Sequence, residues 1–335
     1  MKAPFFIPLL AWLCTSGLLL GQVPMTRLAV DGTSFTVNAT PTFLYGISYY
    51  GGLGASEAFV RKDLDEMERY SLNWIRLWAN WSSGSNNVSA VDADGQARQP
   101  FLGKLEWIVG ECDRLGIIVD VTLTRGDGRG GSPRLETLEA HRRAVETVVK
   151  ALRGHTNWYL DLSNERNVGD KRFTSLDDIK NLRDLAKSNS PTLLVTASDG
   201  GDISEEELRR YLQDAKIDFV APHRPRDASS AARTEEMTRK YLAWMREIGR
   251  VVPIHYQEPF RRGYAKWEPR AEDYLTDLKG AMTGGAAGWC FHNGSDRKTA
   301  GPKRSFDLSK ARLFEQLDAE ELKALQQLQA FLKSP

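Results

Sequence analysis

The sequence predicts an α/β chain folded as a single (β/α)8 TIM barrel with a short N-terminal β-hairpin. Three observations predict it. Short apolar, β-branched runs alternate with amphipathic helical segments from Phe43 onward, and eight such units can be counted. The length of 335 residues accommodates a barrel of typically about 250 residues plus insertions. No linker divides the chain, because the most Gly-rich stretch, Arg125 to Ser132, is short and falls between a predicted strand and a predicted helix.

Taken in order, the first element is a leader. Lys2 is followed by an apolar stretch from Pro4 to Leu20 and then by Gly21 and Gln22, which predicts a signal peptide over residues 1–21 and one domain over residues 22–335. The apolar run is shorter than the roughly 20 residues a spanning helix needs. The expected location is therefore secreted or periplasmic, with no membrane contact after cleavage. Cys14 belongs to the leader, since Trp12 and Leu13 stand where a lipidated cysteine requires small residues. Leu28 to Val37 then alternates around Asp31-Gly32 and predicts a hairpin able to plug the barrel's bottom.

Strands are expected near Phe43 to Ile47, Trp74 to Leu77, Ile117 to Leu123 and Trp158 to Leu162. The remaining four fall near Leu193 to Thr196, Phe219 to Ala221, Val252 to Tyr256 and Ala287 to Phe291. Helices follow each strand, the last near Ala319 to Leu332, and Ser56 and Ser204 supply N-cap signals. An open doubly wound sheet usually carries a bare Gly-rich phosphate turn after its first strand. Here that turn reads Gly46-Ile47-Ser48-Tyr49-Tyr50-Gly51-Gly52, so the closed barrel is favoured. Cys112 and Cys290 fall in a helix and a late strand, which makes a disulfide between them improbable. A net charge of +1 with mixed signs offers no field for nucleic acid or anionic lipid.

In such a barrel the site lies at the C-terminal ends of the strands. The residues there are Tyr49 and Tyr50, Arg76, Trp78 and Trp81, Arg125 and Asp127, Asn164 and Glu165, Asp199, His223, Tyr256 and Glu258, then Trp289 and His292. Two carboxylates, several aromatics and a few polar donors on one mouth suit a carbohydrate, whose C–H faces stack on rings. Glu165 and Glu258 follow the fourth and seventh predicted strands, which face each other across an eight-stranded barrel. Glycosidic bond cleavage requires such opposed carboxyl groups.

These residues resemble the clan of retaining (β/α)8 glycosidases that includes glycoside hydrolase family 5, the cellulase and mannanase family. The resemblance spans nearly the whole mature chain and rests most on Asn164-Glu165, supported by Glu258, Arg76, His223 and Trp289. It implies a glycosidase acting on a β-linked poly- or oligosaccharide, with Glu165 as acid/base, Glu258 as nucleophile and Asn164 on the sugar 2-hydroxyl. Two positions depart from the family: Thr122-Leu123-Thr124-Arg125 stands where a histidine is common, and Arg224-Pro225 where a tyrosine is common. Tyr256 is expected to supply the missing phenol.

On this reading Arg76 and Tyr256 hold Glu258 ionised, while desolvation and the nearby charge raise the pKa of Glu165 so that it can act as an acid. His223, Trp289, Tyr49 and Trp78 are the remaining substrate-binding candidates. Arginines after the strands, namely Arg125, Arg129, Arg166, Arg224, Arg226, Arg261 and Arg262, either recognise an anionic sugar or pair with acids such as Asp127 and Asp227. No His-x-His or His-Glu-x-x-His pair occurs, so neither metal nor cofactor is expected. Gly-x-Ser-x-Gly is also absent, which argues against a serine hydrolase. The alternative is a non-catalytic carbohydrate-binding barrel derived from such an enzyme. Oligomeric state leaves no trace in the sequence.

Overall fold

A computed structural model of the chain describes residues 25–83, 86–126, 134–294 and 307–334. The predicted leader with Cys14, and the loop residues Asp127 and Arg129, lie outside the described residues.

Strands β1 (Leu28–Asp31), β2 (Ser34–Val37) and β3 (Thr40–Thr42) form an antiparallel sheet. The expected hairpin turns at Gly32, whose φ of 57° suits glycine, and β3 adds a strand beyond it. Phe35 of β2 lies 5.0 Å from the Phe219 ring and 5.7 Å from the His255 ring, centroid to centroid. The hairpin thereby plugs the N-terminal end of the barrel.

The barrel begins with β4 (Leu44–Ser48) and β5 (Trp74–Trp78), followed by a small ribbon of β6 (Ser82–Ser83) and β7 (Asn86–Asn87). It continues with β8 (Ile118–Thr122), β9 (Trp158–Asp161), β10 (Leu194–Thr196) and its extension β11 (Ser198–Asp199). Strands β12 (Ala221–Pro222), β13 (His255–Tyr256) and β14 (Gly288–Phe291) complete it. A parallel sheet runs β10-β9-β8-β5-β4-β14-β13. Its two ends meet through β12: β11 pairs with β12, and the Val220 amide donates to Pro253 O at 3.0 Å while Val220 O accepts from His255 N at 2.9 Å. The barrel is closed, as expected.

Around it pack α1 (Glu57–Arg69), α2 (Phe101–Arg114), α3 (Leu138–Leu152) and α4 (Leu176–Asn189), then α5 (Glu205–Arg210), α6 (Ser230–Ile248), α7 (Ala271–Gly284) and α8 (Ala319–Leu332). Ser56 and Ser204 cap α1 and α5 by accepting from the amides of Phe59 and Glu207. Cys112, on α2, and Cys290, on β14, are buried and unbridged.

Successive side chains leave a strand on opposite faces, and this alternation decides what reaches the site. Tyr45, Ile47, Ile75, Leu77, Val119, Val121 and Leu160 pack into the helix layer. Their neighbours Leu44, Trp74, Ile118 and Tyr159 join Phe35 and Phe219 in the barrel's apolar floor. Gly46 belongs to that inward set, and a Cβ there would stand 1.8 Å from Trp74 O, so only glycine lets β5 approach. Above the floor the interior turns polar. The Tyr159 hydroxyl accepts from Trp74 Nε1 at 3.0 Å and donates to Asp120 Oδ2 at 3.1 Å, which Gln257 Nε2 also reaches at 2.8 Å.

Candidate active site

Register places Arg76 beside Asp120, and Thr122 beside Asp161, at the top of this polar core. Arg76 is fully buried, donates to Asp161 Oδ2 at 2.8 Å and Glu258 Oε1 at 2.5 Å, and is ion-paired with Asp120 Oδ2 at 3.2 Å while its Nε donates to Thr122 Oγ1 at 3.1 Å. Breaking a buried pair of this kind costs about 3–5 kcal/mol. Its Nη2 also donates to Asn164 Oδ1 at 3.0 Å, which ties the residue before Glu165 to the same cation.

Glu165 follows β9 with φ 47°, a left-handed conformation uncommon outside glycine, and its amide donates to Ser198 Oγ at 3.2 Å. Glu258 follows β13 from the opposite wall. One oxygen of each glutamate and one ring nitrogen of His223 all lie within 4.8 Å of one another. His223 Nε2 faces the obligate donor Arg76 Nη1 at 3.4 Å and so accepts, which leaves the Nδ1 proton for Glu165 Oε1, also at 3.4 Å.

Arg226 Nη2 stands between the two carboxylates, 2.9 Å from Glu165 Oε1 and 2.9 Å from Glu258 Oε2. Arg172 Nη1 holds the other oxygen of Glu165 at 2.5 Å. Burial pushes Glu165 up, but the hydrogen bond from His223 and the charges of Arg226 and Arg172 outweigh it and hold the carboxyl well below the usual range. The raised pKa expected for Glu165 is thus reversed, because guanidinium groups surround it. Glu258 is lowered too, burial being outweighed by His223, Arg76 and Arg226.

The cleft over these groups is lined by Tyr50, Trp78, Trp81, Asn164, Arg172, Arg226, Arg261 and Tyr264 besides the two glutamates. Trp78 stacks on Tyr50 at 4.3 Å and lies 4.5 Å from the Arg76 guanidinium. Arg76, Asn164, Trp78, His223, Glu165 and Glu258 are therefore brought together.

Three candidates are not. Tyr49 points to the helix layer and donates to Asp63 Oδ2 at 3.0 Å, while Tyr50, one residue on, faces the cleft. Tyr256 meets Thr238 Oγ1 of α6 at 2.6 Å, so the phenol expected beside Glu258 is turned away and Arg226 occupies that place instead. Trp289 donates to Asp277 Oδ2 of α7 at 2.7 Å; the inward residue of that strand end is His292, with Nε2 3.6 Å from Glu258 Oε2. Burial and the charges of Arg261 and Arg226 keep His292 well below the usual imidazole range, hence neutral. All three corrections follow from strand alternation.

Among the other arginines, Arg125 pairs with Asp178, Arg166 with Asp199, Arg224 with Asp202 and Arg262 with Asp318, all as braces. Arg172 and Tyr264 were missed by sequence reasoning. Arg172 sits in a loop that folds back from Glu165, and its only local cue is a pairing with Asp170 two residues away. The Glu165, His223 and Glu258 oxygens and nitrogen form a possible metal triad by distance alone. The guanidinium groups already satisfying both carboxylates make it a poor fit for a cation.

No protein-family profile matches the chain, and no curated protein does. Solved structures do match. A Bacteroides vulgatus protein assigned to the glycoside hydrolases aligns over 92% of this chain at 15% identity with a TM-score of 0.66; this chain spans 61% of its length. A Bacteroides vulgatus family 5 glycoside hydrolase aligns over 92% of this chain and 72% of its own at 12% identity, TM-score 0.68. The Rhizomucor miehei endo-1,4-beta-mannanase aligns over 92% of this chain and 100% of its own at 14% identity, TM-score 0.62. At such identities the likeness is one of architecture. This chain has the (β/α)8 fold of the family 5 glycoside hydrolases.

Proposed function

We propose that this chain is an exported glycosidase that cleaves a β-linked poly- or oligosaccharide by a retaining double displacement. One observation carries the reading: two carboxylates from opposite barrel walls approach to within 4.8 Å over a cleft edged by aromatic rings. A retaining mechanism needs about 5 to 5.5 Å between its carboxyl groups. The mannanases and glycoside hydrolases among the structural neighbours support the same chemistry. Export is read from Lys2 and the apolar run that follows, and no helix among the described residues is long and apolar enough to cross a membrane.

In the first half-reaction Glu258 attacks the anomeric carbon, the glycosidic C–O bond breaks, and the leaving oxygen takes a proton from Glu165. Water, giving its proton to Glu165, then attacks the same carbon and releases Glu258 as a carboxylate. Arg76 and His223 stabilise the charged form of Glu258 at the start and end of the cycle. Asn164, fixed by Arg76, presents its amide NH2 to a sugar hydroxyl. Glu165 must gain a proton as substrate enters, because the neighbouring guanidinium groups favour its ionised form in the free protein.

An activated 2-fluoro glycoside tests the assignment. A covalent adduct on the peptide bearing Glu258 is expected, and Glu165→Ala should slow natural glycans about 10²–10⁴-fold while sparing good leaving groups. Azide should then restore part of the rate. The bridging Arg226 favours the rival reading, a non-catalytic carbohydrate-binding barrel; that reading predicts no adduct at any glutamate.

A further inference from the structure

Three guanidinium groups line the cleft against two carboxylates, and the carboxylates are the ones the chemistry needs. Arg76, behind them, is neutralised from its own side by Asp120 and Asp161. Arg226 has no such second supply among the described residues: its ion pairs there are with Glu165 and Glu258, and its Nε is buried with no acceptor among them. Arg261 is further short of charge. It donates from Nη1 to the Tyr50 hydroxyl at 2.9 Å and lies 4.6 Å from the Tyr264 ring, yet among the described residues no carboxylate pairs with it, and its Nε is buried without an acceptor.

The cleft over these groups is small, about 60 Å³, and Arg226 Nη2, 2.9 Å from an oxygen of each glutamate, stands between the two carboxylates. A pyranose ring cannot reach Glu165 and Glu258 until Arg226 leaves the space between them. A neutral sugar gives the displaced cation nothing in return. An anion held next to Arg261 gives it a partner, and the Tyr264 ring, 4.7 Å from Arg226 and 4.6 Å from Arg261, lies on the way between them.

We infer that the substrate carries an anionic substituent, a uronic acid carboxylate or a sulfate ester near the scissile bond, which Arg261 binds and which draws Arg226 out from between Glu165 and Glu258. Both groups present the paired oxygens that a guanidinium fork matches. Recognition and chemistry are then linked, since the departure of Arg226 removes one of the cations that favour the ionised form of Glu165 and so eases uptake of the proton it must deliver. This inference rests on the glycosidase reading.

The test is a panel of uronate-containing and sulfated polysaccharides given to the full chain, each beside its carboxyl-reduced or desulfated counterpart. For one pair, kcat/KM should be about 10- to 100-fold higher on the charged member, and which pair responds identifies carboxylate or sulfate. Arg261→Gln should erase the difference, and Arg261→Lys should keep part of it. If the glutamine variant fails to fold, the parent panel and the lysine variant still decide. Equal or faster cleavage of the neutral members, with Glu258 still labelled by the 2-fluoro glycoside, overturns this inference alone. Absence of both labelling and cleavage overturns the glycosidase reading and this inference with it.

Discussion

Arg226 acts on the protonation of both site glutamates at once, because one nitrogen serves two carboxylates at 2.9 Å each. A cation so placed favours the ionised form of both, and more strongly in a desolvated cleft than in water. Replacing it by glutamine leaves Glu165 with Arg172 and His223 as its cationic or donating neighbours, and with the Glu258 charge close by. In Arg226→Gln the pKa of Glu165 should therefore rise, with the His223 hydrogen bond and Arg172 still holding it down. A ¹³C titration of labelled glutamate carboxyls, assigned with Glu165→Gln, reads this directly. An unchanged Glu165 midpoint would mean that Arg172 and His223 alone set its charge. The sequence shows Arg226 only as one of several rim arginines, since nothing local distinguishes it from Arg224, two residues earlier, which braces Asp202.

Strand alternation separates the residues that reach the cleft from those that only end a strand. Apolar runs located every barrel strand, because a strand covered on both faces reads as a continuous apolar stretch. The same continuity hides which residues point inward: the sequence offers Tyr49 with Tyr50, Trp289 with His292, and Tyr256 without Gln257, and alternation turns Tyr50, His292 and Gln257 inward and the other three away. The capping serines, by contrast, were legible because their partners are three residues away. Tyr256→Phe isolates the point. It removes a 2.6 Å contact with Thr238, whose Oγ1 still donates to Thr234 O, so stability should fall by about 1 kcal/mol. Denaturant melts should register that loss while the labelling rate at Glu258 stays unchanged. Slower labelling at unchanged stability would instead put the Tyr256 phenol against the sugar.

At the scale of the whole molecule, the barrel with its hairpin plug was legible in outline because eight strand-helix units and one alternating hairpin leave few ways to bury their faces. The charge balance of its interior was not, since it depends on contacts such as that of Arg76 with Glu258, 182 residues apart. That balance makes stability depend on pH in two opposed ways. Glu165 and Glu258 are depressed in the fold, so the stability they contribute is complete above their unfolded value of about 4.3 and is lost as pH falls through their folded values. Asp63 and Asp277, which burial raises to about 6, act in reverse: their neutral forms suit the fold, and stability declines as pH climbs from near 4 toward 6. The net slope of the parent protein thus mixes both, and a difference measurement separates them. Relative to the double variant Glu165→Gln, Glu258→Gln, the parent should lose stability steadily between pH 5 and pH 3 in urea melts, because the variant keeps Asp63, Asp277, Asp120 and Asp161 and lacks only the two glutamates. A difference that stays constant across that interval would show that the arginines around the site do not hold these two glutamates in their charged forms.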